Sequence, residues 1–143
     1  MRKSKIIIGS QVLFLVLFLN GCDESLSTIP QVENGNFTLF VSNQSSHIDP
    51  VDIKILIDDK LAVNQEFQSK GGHNWVKFQF QLTDGKHRLF SYSDEGNVSK
   101  DTLFTVPSTP YSIVDFWYYP ESFGSMENKK FTVVFSETSP GFR

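Results

Sequence analysis

Three groups of side chains in this sequence have the means to do chemistry. Cys22 carries the only thiol, so an internal disulfide and a multi-thiolate metal site are both excluded. His47 and Asp49, then His73, then Asp94 and Glu95 lie between apolar segments. Asp49, Asp94 and Glu95 offer hard oxygens of the kind that hold Ca²⁺, and His47 and His73 with a carboxylate would suit Zn²⁺. Their spacing is not that of an EF-hand, and the two histidines are too distant in sequence for a local motif. The third group is aromatic: Trp75, Trp117, Tyr118 and Tyr119. Flat rings stack on sugar faces while Asn, Asp and His fix hydroxyls, so these four are candidates for a groove that takes a glycan or a peptide. The plainer alternative is a set of solvated loops with aromatic side chains capping a core and keeping a polar edge wet. All three readings stand at this point.

Catalysis has little support. There is no HExxH, no GxSxG and no glycine-rich phosphate loop ahead of a helix. Asp58 and Asp59 are paired carboxylates, but they sit in a turn, whereas hydrolysis of a glycosidic bond needs two positioned acids in a cleft. Asp52 and Asp115 fall in strands and read as surface or ladder charges. The expectation is a non-enzymatic protein with no cofactor, unless the loop residues hold an ion, Ca²⁺ ahead of Zn²⁺.

The amino end is one-sided in charge. Arg2, Lys3 and Lys5 precede Ile6 to Leu19, which is apolar except at Gly9, Ser10 and Gln11. Fourteen helical residues cover about 21 Å, short of the bilayer core of about 30 Å, which fits a signal-peptide core better than a spanning helix. The run ends in Leu19-Asn20-Gly21-Cys22. This resembles the lipobox of bacterial lipoproteins (aliphatic, small, Gly or Ala, Cys), with Asn20 as its departure. The resemblance implies a leader over 1–21 that is cleaved, and a lipid-modified Cys22 that becomes the first mature residue. Two or three acyl chains, at about 0.8 kcal/mol per buried CH₂, anchor a protein stably to the bilayer. Asp23, directly after the cysteine, resembles the signal that retains enteric-type lipoproteins on the periplasmic face of the inner membrane. In any host the expected address is the outward face of the cell membrane.

All 16 acidic residues follow the leader and three of the 13 basic ones lie within it, so the exported part is near −6. That charge argues against nucleic acid as a partner, and it leaves the acyl chains, not a basic patch, to hold the protein down. Residues 22–36 are polar with Pro30 and Gly35 and read as a flexible tether.

From Phe37 to the end, period-two alternation dominates. It is clearest at Val76, Phe78, Phe80 and Leu82. Asp58-Asp59-Lys60 and Asp94 to Asn97 punctuate it as turns, and Thr83-Asp84-Gly85 reads as a hairpin turn in which Gly85 can supply a positive φ. About eight short strands in residues 37–143, with turns every 8–12 residues, predict one antiparallel β-sandwich domain. Residues 85–106 resemble the later strands of bacterial immunoglobulin-like modules, which implies an immunoglobulin-like sandwich and nothing about activity. If successive strands alternate in direction, the loops at 44–50, 68–74, 94–97 and 120–128 gather at the end away from the tether. The expected role is binding or assembly in the envelope, with an envelope protein or a glycan as partner. A glycan- or calcium-binding module is the alternative, and inhibition of an envelope hydrolase a third.

Overall fold

The computed structural model describes residues 25–69, 74–120 and 128–141. The leader, Cys22, Asp23 and His73 lie outside the described residues. Eight strands follow one another: β1 (Phe37–Asn43), β2 (Val51–Ile57), β3 (Lys60–Phe67), β4 (Val76–Phe80), β5 (Gly85–Ser93), β6 (Val98–Val106), β7 (Tyr111–Trp117) and β8 (Lys130–Ser136). They form two four-stranded sheets, ordered β4-β1-β7-β8 and β3-β2-β5-β6. β1 and β7 run parallel, and the other described pairs run antiparallel. Among the described residues no helix is long and apolar enough to cross a membrane.

This is the two-sheet all-β architecture that the alternation predicts. The strand order differs from that of an immunoglobulin constant-type domain, which keeps its first two strands in one sheet; here β1 and β2 lie in different sheets. A second difference concerns Thr83-Asp84-Gly85. Gly85 does adopt φ +129°, but β4 and β5 belong to opposite sheets, so the turn is a crossover and not a hairpin. The true hairpins are β2–β3, β5–β6 and β7–β8. In the first, Asp58 and Asp59 both have positive φ (49° and 61°), the backbone that a two-residue loop needs to match the strand twist.

The core lies between the inner faces. Phe37, Leu39 and Val41 of β1 and Val114 and Phe116 of β7 meet Ile53, Ile55 and Leu89 of the facing sheet. Phe104 of β6 stacks on Phe37 at 4.5 Å and on Phe135 of β8 at 5.2 Å, which closes the side where β6 and β8 approach. A segment expected to be a tether closes the other side. Ile29 N donates to Leu61 O and Leu61 N to Ser27 O on β3, and Val32 N then donates to Gln79 O on β4. The chain is therefore bonded to the body from Ser27 on, and these bonds occupy part of two strand edges that would otherwise invite another chain. Asn36 pins the entry to β1 by exchanging two hydrogen bonds with the Leu82 backbone.

β1 departs from the one-face-in rule. All seven of its residues are buried, including the outward-phase Thr38, Phe40 and Ser42. Register explains part of this, because β4 and β7 flank β1 and set longer side chains beside the short ones. Gln79 lies opposite Thr38, Lys77 opposite Phe40, and Ile113 next to Phe40 on the other side.

Candidate functional site

The loop at 44–50 meets Ser69 and the end of β7, while residues 70–73 and 121–127 of the other loops lie outside the described residues. Gln44 N donates to Phe116 O, Ser45 Oγ to Tyr118 O, and Ser69 N and Oγ both donate to Asp49. Asn43 organises this end from within. It is fully buried, its Nδ2 donates to Ile48 O and Phe67 O, and its Oδ1 accepts Ser45 N.

Two of the three carboxylates proposed for a metal, those of Asp49 and Asp94, are engaged in other ways. Asp49 caps Ser69. Asp94 is paired with Lys54 Nζ at 2.5 Å. Glu95 contributes its backbone N–H to Asp52. His47 Nδ1 is 2.7 Å from Ser46 Oγ, and its ring meets Tyr118 edge-on at 6.1 Å. Among the described residues no three His, Cys, Asp or Glu side chains converge to hold an ion.

Asp52 is more than a ladder charge. Its carboxylate accepts Ser93 Oγ, Asp94 N and Glu95 N, at 2.7 to 3.0 Å, and so builds the β5–β6 turn. Burial raises its pKa, but these three bonds and nearby Lys54 outweigh burial and leave it lower than usual.

The four aromatic candidates divide. Tyr118 packs against the core, and Lys129 Nζ lies over its ring at 5.3 Å. Trp117 and Tyr119 stay together, with ring centres 6.0 Å apart. Alternation along β7 places Trp117 on the outer face of the β4-β1-β7-β8 sheet, the same face as Asp115. Trp75, just ahead of β4, reaches that face from the opposite side.

Register then assembles a row across the sheet. Val76 pairs with Val41, Ser42 with Asp115, and Asp115 with Thr132, so Trp75, Ser42, Asp115 and Thr132 stand side by side. Asp115 Oδ1 accepts Ser42 Oγ at 2.6 Å and Trp75 Nε1 at 2.9 Å. Gln44 Nε2 donates to Ser42 Oγ at 2.7 Å, which fixes that hydroxyl as a donor toward Asp115. Trp117 Nε1 donates to Thr132 Oγ1 at 2.9 Å. Burial pushes the Asp115 carboxyl above the usual carboxylate range, and the bonds from Ser42 and Trp75 offset this only in part. Its second oxygen has no hydrogen-bond partner among the described residues.

The outer face of the other sheet shows what a self-contained surface looks like. Phe90 and Tyr92 stack at 5.5 Å, Arg88 covers Phe90, Lys54 covers Tyr92, and Asp59, Asp94 and Asp101 neutralise the two cations. Its rings and charges satisfy one another. The Asp115 row instead leaves one carboxylate oxygen without a protein donor among the described residues.

No protein-family model, curated protein or solved structure matches this chain.

Proposed function

We propose that this chain is a bacterial envelope lipoprotein, tied to the outward face of the cell membrane through lipid on Cys22, whose β-sandwich acts by binding and not by catalysis. The basic start, the short apolar run and Leu19-Asn20-Gly21-Cys22 support the anchor. Asp23 supports the periplasmic face of the inner membrane in an enteric-type host. The immunoglobulin-like likeness is kept for the local pattern of residues 85–106 alone. Five residue steps separate Cys22 from Ser27, the first of the described residues bonded to the body, and an extended chain of that length reaches at most about 18 Å. An anchored domain would thus sit close to the headgroups with its distal end outward.

Asp115 is the single observation that carries the binding reading. A carboxyl held half-buried on a sheet's outer face, with one oxygen fixed by Ser42 and Trp75 and its pKa raised by burial, points to use by a ligand or partner.

The anchor is tested by feeding cells an alkyne fatty acid. Wild-type protein should take up the label and lose the mass of residues 1–21, and Cys22→Ser should stay unlabelled with its leader intact. Labelling of Cys22→Ser, or an unlabelled wild type, overturns the anchor.

A further inference from the structure

We infer that the distal half of the outer face of the β4-β1-β7-β8 sheet is a carbohydrate site, in which the indoles of Trp75 and Trp117 flank a sugar and the outward oxygen of Asp115 accepts its hydroxyl protons. This rests on the reading of that face as a binding face, and it names the ligand class.

Sugar chemistry fits the row in three respects. A pyranose presents C–H groups on its faces and hydroxyl donors around its rim, so it needs aromatic walls and acceptors in the same place. Here both indole N–H groups are spent within the protein, on Asp115 Oδ1 and on Thr132 Oγ1. The rings are therefore set in orientation before any ligand arrives, which lowers the ordering cost of binding. The chain Gln44 to Ser42 to Asp115 uses up one carboxylate oxygen and leaves the other without a protein donor among the described residues. A ligand hydroxyl supplies the missing donor, and a hydrogen bond to a charged acceptor is among the stronger neutral–ion contacts.

A peptide fits this face less well. An extended peptide that joins a sheet needs an open strand edge, and this row lies on a face whose backbone groups are spent in the β1, β4, β7 and β8 ladders. Among the described residues a cation in this row would have a single carboxylate, well short of a hard-cation shell.

The sequence provides its own reporter. The chain has two tryptophans, one in this row and one beside it on the same face, so tryptophan emission reads the site alone. Full-length lipidated protein, kept in a detergent without a sugar headgroup, is titrated with two neutral hexasaccharides, one of β-1,4-linked glucose and one of β-1,4-linked N-acetylglucosamine. A saturable change in emission with at least one of them is expected. Affinity should fall at least tenfold in Asp115→Asn and in Trp117→Phe, with melting temperatures showing that both variants remain folded. No saturable change with either sugar, or equal affinity in Asp115→Asn, overturns the carbohydrate assignment. A photo-crosslinking residue at position 134 separates that failure from failure of the binding face itself, since Val134 is exposed on this face beside Ile113. Capture of a protein there without sugar binding keeps the face and refutes the ligand class; absence of both refutes the two together.

Discussion

The Asp58 carboxylate joins two elements at the end of the sandwich where the chain enters: its Oδ2 lies 2.6 Å from His87 Nδ1, and its Oδ1 accepts the Arg88 backbone N–H at 2.9 Å. The other ring nitrogen of His87 is 2.8 Å from Thr83 O. Both neighbours are acceptors, so the ring serves them best as an imidazolium that donates twice. His87 is buried among core residues and stacks obliquely on Phe104 at 5.4 Å. One side chain thus binds the β2–β3 turn to the β4–β5 crossover.

This pair should set the pH profile of stability. Burial lowers the His87 pKa, but the bonds to Asp58 and Thr83 O outweigh it and the folded value is raised above 6.5. Its contribution is present below 6.5 and is lost as pH rises through the folded value. For Asp58, burial works upward, while the Arg88 N–H and His87 bring the folded value below 3.8. That contribution is present above 3.8 and is lost as pH falls through the folded value. Between 3.8 and 6.5 both are in place. His87→Gln should cost about 1 kcal/mol in that window, a figure reduced for the half-exposed Asp58 side chain, and less at higher pH. Thermal unfolding of both proteins across pH checks it. Parallel curves for the two would refute the pairing.

Asn43 predicts a sharper effect. Its amide N–H₂ faces two carbonyl oxygens, of Ile48 and Phe67, in a fully buried position. Asn43→Asp keeps the shape and replaces two donors with an acceptor. It should destabilise the fold by about 3 kcal/mol or more at pH 7, and the loss should shrink in acid as the new carboxyl gains a proton. Urea unfolding at two pH values measures this, and a wild-type midpoint at pH 7 would contradict it.

These residues mark the division between what the sequence discloses and what it withholds. Strands such as β2 and β4 are legible because burial on one face imposes a local period of two. Turn residues are legible as well, since a positive φ selects Asp, Asn or Gly nearby. Whether a turn joins partners in one sheet or crosses to the other is not local, and Thr83-Asp84-Gly85 reads the same in both cases. The docking of Ser27 to Val32 leaves no side-chain signature, because its bonds are backbone to backbone. Asp115 resembled any ladder charge because Ser42 lies 73 residues away and Trp75 lies 40 away. Trp75 and Trp117 were visible as candidates from residue type, but the parity that sets Tyr118 apart from Trp117 emerges only once β7 is placed.

Gly35 offers a steric prediction. A Cβ at this position would collide with the backbone carbonyl of Phe80, a group that cannot swing aside as a side-chain tip would. The glycine is required by the close approach of the entering chain to β4. Gly35→Ala should cost about 3 kcal/mol, at the upper end of overpacking effects, and should loosen the Asn36–Leu82 clasp next to it. Hydrogen exchange at the Leu82 amide, which donates to Asn36 Oδ1, is the direct readout. Protection equal to wild type there would show that the backbone adjusts without strain.

Asp115 inverts the ordinary expectation for a buried polar residue. Its carboxyl titrates above 3.8 in the folded state because burial disfavours its charge more than Ser42 and Trp75 favour it. A raised carboxylate pKa means that stability is fully present below the unfolded value and declines as pH rises through the folded one. At neutral pH the ionised side chain therefore weakens the fold. In Asp115→Asn, the amide oxygen still accepts Ser42 Oγ and Trp75 Nε1, and the amide N–H₂ takes the outward position. The variant should melt at or above the wild-type temperature at pH 7, and the difference should narrow as pH falls through the folded value and the wild-type carboxyl becomes neutral. A clear drop in melting temperature at pH 7 would make Asp115 a structural anchor of the sheet and remove the reason to look for a ligand beside it.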